Sequence, residues 1–251
     1  MTAVRGTSVD ITTQDGTADA YLAHPDDGKP HPGVLLYTDA FGIRPHLKSM
    51  VDRLAGAGYT VLAPNLLYRY GRAPVVELPA FIDPARRPDL FERLGPLMRA
   101  LTPDLAMRDA GTYLTWLTGS ALTTDGPVGT TGYCMGAGLA LRTAGTYPER
   151  VAAMAGFHGG RLATDSADSP HLVADRITAE LYFGHADQDP SLPPEQIDRL
   201  DEALTAAGVR YRSEVYTGAH HGFTQSDTAA YDSAADERHW KALTELLQRA
   251  L

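Results

Sequence analysis

The stretch "PVGTTGYCMGAGLALRTAG" (127–145) holds the chain's only cysteine, Cys134, at the point where its pattern changes. Up to Tyr133 it reads as a buried β-run, and from Met135 its apolar residues recur at helical spacing. Cys134 therefore falls on a strand-to-helix turn. Gly132-Tyr133-Cys134-Met135-Gly136 matches the small-x-nucleophile-x-small pattern of a nucleophile elbow, with cysteine where serine is more usual. The requirement is steric: the nucleophile's backbone is strained, and a Cβ two residues before or after it would strike neighbouring chain. Gly132 and Gly136 remove those collisions, while Ala137 and Gly138 let the new helix lie close on the sheet. The helix N-terminus points free N–H groups and positive dipole at the sulfur, which favours thiolate. Met135 N–H could also hold an oxyanion. The plainer reading is an inert buried cysteine, because free cysteine packs as a small hydrophobe. Partners elsewhere must decide between them.

Outward from the elbow, "VLLYT" (34–38), "YTVLAP" (59–64), "RVAAMAGF" (150–157), "TAELYF" (178–183) and "VRYRSEVY" (209–216) read as strands. Helical patterns lie between them at 46–58, 102–119, 135–146 and 194–207, and a last one closes the chain near 234–250. This alternation predicts an α/β fold: a doubly wound, mostly parallel sheet of the kind whose sites form beyond the carboxyl ends of strands. An antiparallel hairpin opens it, in "TSVDITTQDGTADAYLAHP" (7–25), which alternates around Gln14-Asp15-Gly16. At 251 residues one core suffices, so a single domain spanning 1–251 is expected. The segment 69–103 is the least regular and rich in Pro and Arg, with a helix in "RPDLFERLGPLMRAL"; it could be a cap or lid.

A formal net charge of −9 argues against nucleic-acid and anionic-membrane partners. One cysteine cannot form an internal disulfide, and the start lacks the apolar run of a secretory signal, which predicts a cytoplasmic protein. No run approaches the roughly 20 apolar residues of a membrane span. Nine histidines raise the question of a metal, yet there is no H-E-x-x-H, and His158, His171 and His185 fall in loops without partner spacing. Neither a P-loop nor a G-x-G-x-x-G occurs, so no metal and no cofactor is expected.

An elbow nucleophile needs a base and an acid that orients it, following in the order nucleophile, acid, histidine. "LYFGHADQDPSLPPE" places Asp187 and Asp189 past one strand, and "SEVYTGAHHGF" places His220 and His221 past the last. A triad is thus feasible.

Taken together, these residues resemble the dienelactone hydrolase family of α/β-hydrolases: "GYCMG" is similar to its elbow, "GHAD" to its acid loop and "GAHHGF" to its histidine loop. The resemblance extends to "LLYTDAFGIRPHLKSMVDRLAGAGYTVLAPNLL", which looks like the first strand, oxyanion loop and first helix. It implies Cys134 as nucleophile, His221 as base, and Asp187 or Asp189 as acid, with Asp187 favoured by its distance from the strand end. It implies an oxyanion hole of Met135 and Ala40 amides. Asp39 matches a family glutamate that interacts with the resting thiol, although aspartate is a methylene shorter. Phe41 and Tyr133 flank the site as a candidate substrate wall, and Arg69, with Arg72, Arg86 and Arg87, could supply a positive one. The family's arginine after the histidine loop is absent: Gln225 stands near that place, and a neutral amide cannot replace a guanidinium fork. The expected activity is cofactor-free cleavage of a small carboxylic ester or lactone through an acyl-enzyme, by a monomer or small homo-oligomer. The alternatives are acyl transfer on the same scaffold and a non-catalytic thiol-sensing or ligand-binding protein.

Overall fold

A computed structural model describes residues 3–83 and 86–251. Its frame is one eight-stranded sheet. β1 (Val4–Thr13) and β2 (Gly16–Pro25) form the antiparallel hairpin, closed by Gly16 at φ +134°. β3 (Gly33–Tyr37), β4 (Thr60–Pro64), β5 (Val128–Tyr133), β6 (Val151–Phe157), β7 (Glu180–Gln188) and β8 (Tyr211–His220) follow in parallel. The spatial order is β1-β2-β4-β3-β5-β6-β7-β8. The chain therefore reverses its direction of travel across the sheet between β3 and β5, and the loops after these two strands lie side by side at the switch point.

Helices cover both faces: α1 (Pro45–Gly56), α2 (Pro88–Ala100), α3 (Pro103–Thr118), α4 (Met135–Thr146), α5 (Pro194–Ala206) and α6 (Ser233–Ala250). β3 shows why the central strands read as unbroken apolar runs. Its Leu35 and Tyr37 pack into the layer under α3 and α4, with Tyr113, Leu117 and Leu141. Its Val34 and Leu36 pack into the opposite layer, with Leu47 and Leu54 of α1 and Leu243 and Leu247 of α6. Period-two alternation buries both faces of the strand.

The irregular segment has a small core of its own, in which Leu67, Val76 and Ile82 pack on Leu90 and Leu94 of α2. It is tied to the body at Ile82, whose N–H donates to Asp227 O (2.8 Å) and whose carbonyl accepts from Ala229 N–H (2.9 Å), and at Ala73, whose N–H donates to Asp19 Oδ2 (3.0 Å). Among the described residues, no helix is long and apolar enough to cross a membrane.

One strand departs from expectation in a way that bears on the site. β7 does not stop at Phe183 but continues to Gln188, pairing with β8 through Ala186–Tyr216 and, past a register irregularity, Gln188–His220. Asp187 therefore lies inside the strand, and Asp189 is the first residue beyond it.

Candidate active site

Cys134 stands between β5 and α4 at φ 55°, ψ −119°, a backbone that residues with a Cβ seldom adopt. Its N–H donates to Phe157 O (3.1 Å) across the sheet. The glycine requirement is literal: a Cβ on Gly132 would lie 2.0 Å from Gly136 O, and one on Gly136 would lie 2.5 Å from Tyr37 O. The second contact brings the elbow against the end of β3, beside Asp39 and Ala40. Met135 opens α4, so its N–H has no acceptor within the helix. Cys134 as a residue is part-exposed.

His221 follows β8 directly. Its Nδ1 lies 2.6 Å from Asp189 Oδ2, and the Cys134 sulfur neighbours the ring. About 30% of its side chain is open to solvent, so the imidazole can be reached. Burial, the largest single influence, opposes charge on the ring, but the neighbouring sulfur and Asp189 overcome it and raise His221 to about 10. Asp189 is itself buried, which taken alone would raise its pKa; hydrogen bonds from His221 and Ser191 outweigh this and hold it below its ordinary value. Ser191 braces the carboxylate twice, donating to Oδ1 from Oγ (2.6 Å) and from N–H (2.8 Å).

The preference for Asp187 as the acid is therefore corrected. It is exposed, and its Oδ2 accepts from Gly218 N–H at 2.8 Å, on the β7–β8 ladder away from the imidazole. Counting from a strand end set five residues too early produced the error. His220 is exposed, as a neighbouring residue without a part in the site.

Two candidate wall residues lie elsewhere than expected, and Asp39 is engaged by another partner. Tyr133 is fully buried, with its hydroxyl on His239 Nε2 (2.9 Å), and so faces the core under α6 rather than a substrate. Arg69 is held by Asp15 (2.7 Å) and Asp109 (2.8 Å), its charge neutralised within the body. Asp39 is gripped by both arms of buried Arg44, at 2.8 and 2.9 Å, and also accepts from Phe41 N–H (3.0 Å). Both its oxygens are occupied, which leaves the thiol-restraining role without support. Phe41 does line the narrow cleft beside Ala40 and Met135, with its ring tilted at 59° to Phe91 of α2 and the centroids 5.7 Å apart.

Sequence reading missed Arg44, which also binds Asp227 (2.6 Å) and Gln225 (2.7 Å). It thereby joins the oxyanion loop to the histidine loop across some 180 positions of sequence. Ser191 was missed too, although Asp-x-Ser in a loop is a turn signal that could have found it. His158 is completely buried at φ 38°, with Nε2 against Thr224 Oγ1 (2.8 Å) and its ring edge-on to His221 at 5.4 Å. Burial, and then the adjacent His221, push its pKa well below the ordinary value, so it backs the imidazole as a neutral wall. Among the described residues no cluster of three His, Cys, Asp or Glu side chains could hold a metal ion.

A cysteine at a nucleophile elbow, faced by a carboxylate-bound histidine on a doubly wound sheet, defines an α/β-hydrolase. The chain belongs to the dienelactone hydrolase family: the model of that family matches residues 18–251. A curated relative, "Putative carboxymethylenebutenolidase" of Methylorubrum extorquens, is 29% identical over 94% of this chain and 78% of its own length. The carboxymethylenebutenolidase of Rhodococcus opacus is 28% identical over 87% of this chain and 81% of its own. Among solved structures, a dienelactone hydrolase-like promiscuous phosphotriesterase, P91, from metagenomic libraries superposes with a TM-score of 0.79 at 25% identity, covering 99% of both chains. The chain is therefore a hydrolase of this family.

Proposed function

We propose that the protein cleaves a small carboxylic ester or lactone through a Cys134-His221-Asp189 triad and a thioester acyl-enzyme. The observation that carries the reading is the imidazole of His221, held by Asp189 at 2.6 Å on one nitrogen with the sulfur of Cys134 as its neighbour. His221, held by that carboxylate beside the sulfur, is the base that takes the thiol proton and leaves a thiolate.

The thiolate then adds to the acyl carbon, and the carbonyl oxygen, now an anion, turns toward the Met135 and Ala40 amides. Collapse breaks the C–O bond, and His221 Nε2 gives its proton to the departing alkoxide. In the second half, water attacks the thioester, His221 takes the water's proton, and the thiolate leaves with its electron pair. Asp189 holds the ring tautomer throughout.

The experiment is mass spectrometry of the protein with a slowly deacylated aryl ester. The expected result is an acyl mass on the Cys134 peptide and none in Cys134→Ala. Full turnover by a folded Cys134→Ala variant would overturn the assignment.

A further inference from the structure

Two depressions meet at Met135. One is the narrow cleft between the oxyanion loop and the cap segment. The other is a groove of about 320 Å³ along the outer face of α4, lined among others by Met135, Gly138, Arg142, Gly160, Arg161 and Asp168. The cleft belongs to the site already described. The groove does not.

Three observations give the groove a function. First, it borders the triad: a Cβ added to Gly160, on its wall, would stand 2.5 Å from Ser191 Oγ and 3.8 Å from His221 Cε1, the ring carbon between the nitrogen held by Asp189 and Nε2. In the mechanism proposed above, the leaving oxygen must face His221, whereas the oxyanion faces Met135 and Ala40. A leaving group longer than a few atoms therefore runs into the groove.

Second, the groove is cationic in a protein of net charge −9. Among the described residues Arg161 has no hydrogen-bond or ion-pair partner for its guanidinium, although most arginines of this chain are paired. Arg142 spends one N–H on the Asp168 carbonyl and also attracts the Asp168 carboxylate, so the excess positive charge of the groove is that of Arg161. The Asp168 carboxylate, the acid on the groove wall, accepts from Ser166 Oγ–H.

Third, Arg161 is placed at a conformational cost. It is a non-glycine residue at φ 56°, fixed there by its N–H on Ser191 O (2.8 Å), in the loop that also braces Asp189. Left-handed backbone of this kind persists where surroundings over-determine it, and it clusters at ligand clamps.

We propose that the α4 groove receives the alcohol side of the substrate and that Arg161 and Arg142 bind an anionic group, a carboxylate or a phosphate, carried on it. The proposal rests on the hydrolytic reading above. Met135, Gly138 and Arg142 share one helix face, and seven residues of α4 set Arg142 about 10 Å along the axis from the oxyanion donor. The anion therefore sits well beyond the scissile bond, on an extended leaving group.

The test uses three aryl acetates with near-identical phenols: one with a propanoate chain para to the ester, its methyl-capped neutral twin, and one with an alkyl phosphate in place of the propanoate. The wild type is expected to favour an anionic ester over the neutral twin by about tenfold in kcat/KM, chiefly through KM, and less so at high salt. Arg161→Asn keeps a side chain that tolerates the left-handed backbone, and Arg142→Gln keeps a donor for Asp168. Each should cut the preference by about threefold or more, kcat/KM for the anionic esters falling further than for the neutral twin. A larger effect with the phosphate assigns a dianion and a larger one with the propanoate a carboxylate, and either supports the proposal. Absence of preference in the wild type, or its persistence in the folded double variant, would overturn it. Absence of Cys134-dependent turnover of all three esters would instead overturn the hydrolytic reading, and the leaving-group assignment with it.

Discussion

At the residue scale the site turns on which groups touch the imidazole. Asp189 is bound to His221 and braced by Ser191, whereas Asp187, two positions earlier, is spent on Gly218. Asp189→Asn is accordingly expected to lower kcat by roughly 10²- to 10⁴-fold through loss of the ring's tautomer and orientation. Asp187→Asn should stay within about twofold of wild type, as for other surface changes; parallel kcat measurements on one aryl ester check both. The same contacts predict a pH dependence of stability. The folded-state pKa of His221 is raised to about 10, above its ordinary 6.5. Its contribution is thus fully present below pH 6.5 and is lost as pH rises through about 10. Urea midpoints should fall across that interval, and Cys134→Ala, which removes the first of the charges favouring the imidazolium, should flatten the fall. A wild-type midpoint independent of pH there would contradict the charge assignment.

At the scale of elements, two devices bring separate loops into register. The elbow is wedged against β3, and the wedge tolerates no side chain: Gly136→Ala would force a methyl to 2.5 Å from Tyr37 O and 2.6 Å from Thr38 O, both backbone atoms that cannot swing aside. A loss of about 1–3 kcal/mol or more is expected by urea denaturation. Activity should fall further than stability, because Thr38 leads directly into the oxyanion loop. The second device is Arg44, at the start of α1, which clamps Asp39 on one loop and Asp227 on another. Arg44→Met strands buried Asp39 without its charge partner, at an expected cost of about 3–5 kcal/mol. Adding Asp39→Asn to Arg44→Met should recover part of that loss, which a simple packing defect would not show.

For the whole molecule, the arrangement is a sheet with helices on both faces, carrying a segment with a small core of its own. Leu35 is fully buried in the body, and Leu35→Ala is expected to cost about 2–5 kcal/mol in global unfolding. Leu94 belongs to the small separate cluster of the cap segment. Leu94→Ala should instead raise hydrogen exchange between residues 66 and 100 with little change in the slowest-exchanging strands. Uniform loss of protection in both variants would show that segment and body unfold as one unit.

The sequence by itself determined what local chemistry determines. The elbow was legible because strain demands Gly132 and Gly136 at fixed offsets from Cys134. The α/β class was legible because a strand buried on both faces must be apolar throughout, and the histidine loop because His221 follows its strand immediately. Only the tertiary structure decided between Asp187 and Asp189, because the end of β7 is set by pairing with β8 rather than by its own residues. It alone turned Tyr133 into the core, onto a histidine 106 positions away. It alone gave Asp39 to Arg44 and left the Arg161 guanidinium, among the described residues, without a partner on the α4 groove. A charged side chain's partner is chosen by what folding brings within about 4 Å of it, and a single chain read in order carries no record of that distance.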